Sequence, residues 1–340
     1  MKKFNLIPLI LGTILIICGA FIFGFAMGEA DWNIKNLSTV KYETNTYEIN
    51  DDFTSLRING NTADIHLLPA EDGKCNVVVH EEENNKHNVS VKAGVLCVEP
   101  TSKDTIRLGI NLDFPKITVY LPEDSYGNLE IKNTTGNVLV DSGLKFDNVN
   151  ISLSTGDINV ANITCTSLSS KGTTGDTNIS NVIVSDKMSI ERSTGEISLY
   201  GVRCDKGLSV ATNTGKITLS DIECGDKISI NVNTGNVSVT DTTCVALSSE
   251  GTTGDINIEN VIVSGKMSIE RKSGDVKFES SDAFEMFILT DSGDVEGSLI
   301  SDKVFIVNTD TGRIKVPNTT SGGRCEITTD TGDIKISIVK

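Results

Sequence analysis

Aromatic side chains are scarce in this chain: they make up 5% of the residues, Trp32 is the one tryptophan, and prolines number six. Histidine is scarcer, with His66, His80 and His87 the whole complement. None of the three neighbours a cysteine at zinc-site spacing, and no Cys-x-x-Cys occurs, so a structural zinc module is excluded. A basic excess is missing too. The net charge is −16, which excludes nucleic acid as a partner, because phosphate binding needs a cationic stripe that releases counterions. Gly, Asn, Thr, Ser, Ile and Val dominate instead, a balance that suits short strands and turns.

Long apolar runs are confined to one place. After Lys2 and Lys3 the sequence is almost purely apolar from Phe4 to Met27, then turns acidic at Glu29 and Asp31. About 20 apolar residues span a bilayer, and the lysines belong on the cytoplasmic side. Residues 1–29 therefore read as a transmembrane anchor in the cell membrane, with the N-terminus cytoplasmic and the bulk of the chain extracytoplasmic. A cleaved signal peptide is the rival reading, with Gly28-Glu29-Ala30 as its small-x-small site, but the apolar stretch is too long for it. A lipid-modified Cys18 fits less well, since the bulky Ile17 precedes it and the apolar run continues past it.

A glycine then recurs every 19 or 20 residues: Gly136, Gly156, Gly175, Gly195, Gly215, Gly235, Gly254, Gly274, Gly293, Gly312 and Gly332. Aligned on it, apolar residues stand two and four positions after the glycine (Ile217 and Leu219, for example). Another pair stands seven and five before it (Leu208 and Val210), with a looser pair at seven and nine after. Gly297 breaks the second of these columns, and Ser170 and Ser249 break the fourth. Period-two alternation over three short segments per repeat, with short links, describes one coil of a β-solenoid. About eleven coils at ~4.8 Å each make a rod on the order of 50 Å long. Cys165–Leu199 closely repeats as Cys244–Phe278, an offset of 79 residues or four coils, so whole coils have been duplicated in register.

No column of the repeat carries catalytic chemistry. The residue before each glycine is Ser or Thr in all eleven copies. That pattern fits a turn whose hydroxyl bonds its own backbone while the glycine takes φ > 0. A nucleophile would be singled out beside a base, and no histidine lies in the repeat region. Asp follows the glycine in six copies, but Lys216 and Arg313 share the column. Near the C-terminus acids stand on both sides of the turn. Asp291, Asp294, Asp310, Asp330 and Asp333 are thus the candidate ligands for a Ca²⁺ ion, against the plainer expectation of solvated turn acids. No other cofactor is implied. A polysaccharide-cleaving β-helix would show long insertions, a carboxylate cluster and aromatic sugar platforms, and an ice-binding face would carry Thr-x-Thr rows on a strand; neither pattern is present.

Cys75 and Cys97, in apolar strand-like runs, are the one candidate disulfide. Cys165, Cys204, Cys224, Cys244 and Cys325 fall in inward columns and read as small buried hydrophobes. Residues 30–125 are β-rich but irregular and read as a cap at the membrane end, with Asp64-Ile65 echoing Gly-Asp-Ile as a degenerate first coil; residues 126–340 form the solenoid. At the far end Lys335 and Lys340 resemble the charged residues that blunt a sheet edge.

The passage Ile117–Val138, "ITVYLP" leading to "LEIKNTTGNV", is followed by coils of Thr-Gly, Asp or Asn, then Ile or Val. It resembles the family of putative adhesins, bacterial β-strand-repeat proteins, over roughly residues 50–340. The resemblance implies an all-β, single-stranded parallel β-helix, right-handed, outside a bacterial cell. It brings no catalytic residues. It implies an adhesin-like protein with an unidentified protein or glycan ligand on the cell surface, or, as the alternative, an accessory or sensor in cell-envelope stress signalling, since some relatives accompany such genes.

Overall fold

The computed structural model describes residues 6–37, 40–101, 113–122, 124–141 and 143–339. Lys2, Lys3 and Lys340 lie outside the described residues. Leu6–Glu29 is one α-helix, of which Ile10–Glu29, with a mean hydropathy of 2.5, is long and apolar enough to cross a membrane. A short 3-10 turn, Ile34–Leu37, follows. Beyond it the protein is a single sheet of 28 strands wound into a solenoid of about 10 turns.

Each coil follows from its alternation. Gly207–Thr214 runs up to the corner at Gly215, and Ile217–Cys224 leaves it. Leu208, Val210, Ile217, Leu219, Ile222 and Cys224 point inward and are 5% exposed or less. Burying each aliphatic side chain contributes about 1.5–3 kcal/mol. The next coil repeats the arrangement in parallel register, Leu208 beside Ile228 and Ile217 beside Val237. Where Gly297 interrupts an apolar column, the Phe278 ring of the neighbouring coil fills the vacated space.

The glycine corner is set by two constraints. Ten of the eleven glycines have φ between +113° and +159°, a region L side chains rarely enter. A Cβ at each of ten, Gly156 to Gly332, would also overlap the carbonyl oxygen of the glycine in the adjoining coil. Glycine thus stacks on glycine along the whole edge. The hydroxyl residue before it contributes differently from the expectation: its backbone carbonyl takes the glycine N–H of the preceding coil, as from Gly195 to Thr214 at 3.0 Å, and no bond from its hydroxyl appears among the described residues. A second corner, six residues after the glycine, has left-handed Asn162, Asn181, Asp221, Asp241, Asn260 and Ser280 with φ between 49° and 56° except Asp241 at 47°. Asn and Asp tolerate that region best among side-chain-bearing residues.

Asp64-Ile65 does open a preceding coil. Leu56 and Ile58 pair with Leu129 and Ile131, Ile65 and Leu67 with Val138 and Val140, and Ala63 takes the place of the corner glycine beneath Gly136. Three antiparallel strands close this end: Cys75–Glu82 lies between Lys116–Leu121 and Tyr42–Ile49, and His87–Lys92 covers Val95–Pro100. Cys75 and Cys97 sit on different rows of this cap. All eight cysteines are free thiols, so the candidate disulfide is not formed.

The far end departs from chain order. Gly323–Thr331 pairs with Val276–Ser292 on one side and with Lys303–Thr311 on the other. Ile334–Ile338 likewise lies between Val295–Leu299 and Ile314–Lys315. The last coil is therefore inserted between the two before it, and the edge of the rod is residues 303–315. Lys335 is not an edge residue; its ammonium faces Glu296 at 3.8 Å. The edge is blunted instead by an inward-pointing charge: buried Lys303 bonds Asp282 at 2.5 Å and the Ala283 carbonyl at 2.7 Å.

Candidate binding surface

The long strand before each corner turns one face outward, and stacked together these faces make a regular surface along the rod. Its central column is serine in six successive coils: Ser169, Ser189, Ser209, Ser229, Ser248 and Ser268, each in register with the next. Five strand spacings give a strip about 24 Å long. Lys187, Lys227 and Lys266 flank one side, and Glu191, Glu250 and Glu270 the other. Alternation explains this arrangement: the inward neighbours are apolar, and the outward residues need only suit water. The outcome is a flat polar track with short side chains along its middle.

Both ends of the track are different. At the N-terminal end a shallow groove of about 470 Å³ is lined by Asn59, Asn61, Lys132, Thr134, Ser154 and Lys171 among others. At the far end Ser268 is followed in register by Phe287, beside a hollow of about 260 Å³ that also touches Glu270, Leu289, Glu326 and Thr328. Lys266 Nζ sits 4.1 Å from the Phe287 ring centroid and the Arg324 guanidinium 5.4 Å from it, so the ring carries two cations on its faces or rim.

The acidic corners form a capping ladder. Asp157 Oδ1 accepts the Asp176 N–H at 2.8 Å, and Asp176 Oδ1 accepts the Glu196 N–H at 2.8 Å. The pattern returns from Asn236 through Asp255, Asp275 and Asp294 to Asp333. Each side chain serves the coil stacked upon it. Arg313, on the edge coil, has no coil above it and instead clasps Asp333 below, with its N–H at 2.8 Å and its Nε at 3.0 Å. That clasp, the Arg313 side chain first and its N–H second, holds the Asp333 carboxyl below the usual aspartate range. Of the five calcium candidates, Asp294 and Asp333 belong to this ladder, whereas Asp291, Asp310 and Asp330 are exposed beside the corner. Among the described residues no three His, Cys, Asp or Glu side chains converge for a metal ion.

Two features escaped the sequence reading. Three residues before the glycine, polar side chains in several coils donate to corner carbonyls: Asn133 to Ala63 O at 2.8 Å, Thr309 to Gly332 O at 2.9 Å and Thr329 to Gly293 O at 3.2 Å. In two coils, 79 residues apart, this column holds arginine. Arg192 bonds Thr177 Oγ1 at 2.7 Å, and Arg271 bonds the Val232 carbonyl at 3.1 Å. Each guanidinium occupies the space left by the glycine in register below it, Gly172 or Gly251. Burial lowers both arginine pKa values. Pairing each Ser-Gly interruption with the arginine one coil later would have disclosed the arrangement.

The model of the Toastrack DUF4097 family matches residues 53–241 and again 225–340. Among solved structures, a putative adhesin from Bacteroides fragilis is 15% identical, with 88% of this chain and 97% of that chain covered, at a TM-score of 0.38. A putative adhesin from Parabacteroides distasonis is 10% identical over 87% and 98%, also at 0.38. A putative lipid binding protein from the same species is 16% identical over 89% and 98%, at 0.33. No curated protein matches the chain.

Proposed function

Because the chain belongs to the Toastrack DUF4097 family, we propose that it acts as a membrane-anchored, extracytoplasmic β-solenoid that presents a surface and does no catalysis. The long-strand face is the adhesin-like binding surface, and its ligand is a protein or glycan at the cell surface. The observation that carries this reading is the serine track. Six in-register serines, flanked in three coils by Lys187, Lys227 and Lys266 and in three by Glu191, Glu250 and Glu270, offer hydroxyl donors and acceptors at a fixed spacing. Such a face suits an extended partner that repeats its own polar groups. The apolar helix supplies the tether, with Lys2 and Lys3 on the cytoplasmic side.

The test uses the full chain in nanodiscs, probed against glycan and protein arrays. A retained ligand should lose at least tenfold in affinity in Ser209→Arg and Ser229→Arg, which crowd the middle of the track. Affinity unchanged in both variants overturns the assignment of the face. Turnover of a cell-wall or host polysaccharide by the wild-type chain overturns the non-catalytic role.

A further inference from the structure

Five of the cysteines lie in inward positions of the solenoid, and three of them, Cys204, Cys224 and Cys244, come from consecutive coils. Cys204 and Cys224 are direct register partners on adjacent parallel strands, Ile197–Cys204 and Ile217–Cys224. Strand spacing puts in-register Cα atoms about 4.8 Å apart, within the roughly 4.4–6.8 Å that a disulfide spans. In the reduced state Cys204 Sγ donates to the Asp186 and Gly207 carbonyls at 3.3 and 3.2 Å, and Cys224 Sγ to the Lys206 carbonyl at 3.5 Å. The pairing of Cys224 with the following coil is different. There the hydrogen-bonded ladder ends at Glu223 and Thr243, one residue short of Cys224 and Cys244.

We propose that Cys204 and Cys224 form a redox-active pair that closes to a disulfide across adjacent coils on exposure to an organic disulfide. The sequence of events follows from the surroundings. Cys224 is 5% exposed and Cys204 is fully buried, so Cys224 meets the oxidant first. Its acidity matches that role: the neighbouring Cys204 thiol first, against the opposing effect of burial, and then the backbone N–H groups of Asp226 and Leu208 hold its pKa below the usual thiol value. The thiolate is the attacking species. Cys224 thiolate attacks R–S–S–R, forms a mixed disulfide and expels one R–S⁻. Cys204 then loses its proton and attacks the Cys224 sulfur, expelling the second R–S⁻. Two protein thiols are oxidised to one disulfide, one organic disulfide is reduced to two thiols, and both protons end on the leaving groups. Loss of the Cys204 proton is the slow step, because with Cys224 already in the mixed disulfide the burial of Cys204 still raises its pKa.

The experiment treats the full chain in detergent with oxidised glutathione, alkylates the remaining thiols after denaturation, and maps the tryptic peptides. Arg203, Lys206, Lys216 and Lys227 place the two cysteines on separate short peptides, so a link between them is read directly. Wild type should lose two thiols and yield the Cys204–Cys224 linked pair. Cys204→Ser should stop at a glutathione adduct on Cys224, and Cys224→Ser should give no link. The proposal is overturned if both wild-type cysteines remain alkylatable after prolonged treatment, or if Cys224 is found joined to Cys244. Because the wild-type map decides the matter, a variant that fails to fold leaves the result standing.

Discussion

At Gly215 the backbone has φ +149°, and a Cβ there would run into the Gly195 carbonyl; at Gly207, eight residues earlier, the nearest atom to a Cβ is the Lys227 carbonyl oxygen at 3.8 Å. Gly215→Ala should therefore cost about 3 kcal/mol through strain and overlap, whereas Gly207→Ala should be neutral or stabilising by about 0.5 kcal/mol through the unfolded chain. Chemical denaturation of the two variants side by side measures the contrast. Gly172 makes a third case. The three atoms nearest its Cβ all belong to the Arg192 side chain, so Gly172→Ala should cost about 2 kcal/mol by overpacking and less in an Arg192→Leu background. A double-mutant cycle measures the coupling; additive losses would separate the two residues. The corner glycines were legible from their period, and φ > 0 was a sound reading of one coil. The stacking of each glycine on the carbonyl below it was not legible, because it relates residues 19 or 20 apart through space. The same holds for Asp157 and its column: the acids looked solvated, yet each oxygen is placed by the coil that stacks on it.

The elements at the far end hold one another in an unusual dependence. Among the described residues Lys303–Thr311 pairs only with Gly323–Thr331, and Ile314–Lys315 only with Ile334–Ile338. A chain ended after Gly322 should thus lose two coils, not one. Hydrogen exchange should show protection lapsing from about residue 300 onward, while residues 197–235 keep theirs; protection surviving at 303–315 would show that this coil docks without its neighbour. Acid should loosen the same edge. The folded pKa of Asp333 is depressed, so its contribution is whole above the unfolded value of about 3.9 and is lost as pH falls through the lower folded value. Amide exchange at Arg313 should quicken below about pH 4, and Asp333→Asn should show the quickened rate already at neutral pH. The three-segment coil was legible from apolar columns at fixed offsets. The order of the last two coils was not, since either order satisfies the same columns; only Arg313 in place of Asp hinted that its coil has none above it.

For the whole molecule, the 79-residue duplication makes length an adjustable property. Deleting residues 165–243 joins Thr164 to Cys244, removes Ser170 and Gly172 together with their Arg192, and leaves Ser249 and Gly251 with their Arg271. The shortened rod should remain folded and lose about 19 Å, four strand spacings, in small-angle scattering; aggregation or an unchanged length would show that the duplicated coils are not interchangeable. The apolar helix and the solenoid were legible at this scale, because hydropathy and period mark them separately; the antiparallel pairing of the strands before the solenoid was not, since no period runs through them. The inserted last coil also bears on how such a chain matures. A solenoid closed in simple order could finish each coil as it emerged from synthesis or export. Here residues 303–315 lack the strands they pair with, among the described residues, until residues 323–338 have been made, so a chain released between the two should display an unpaired end to proteases.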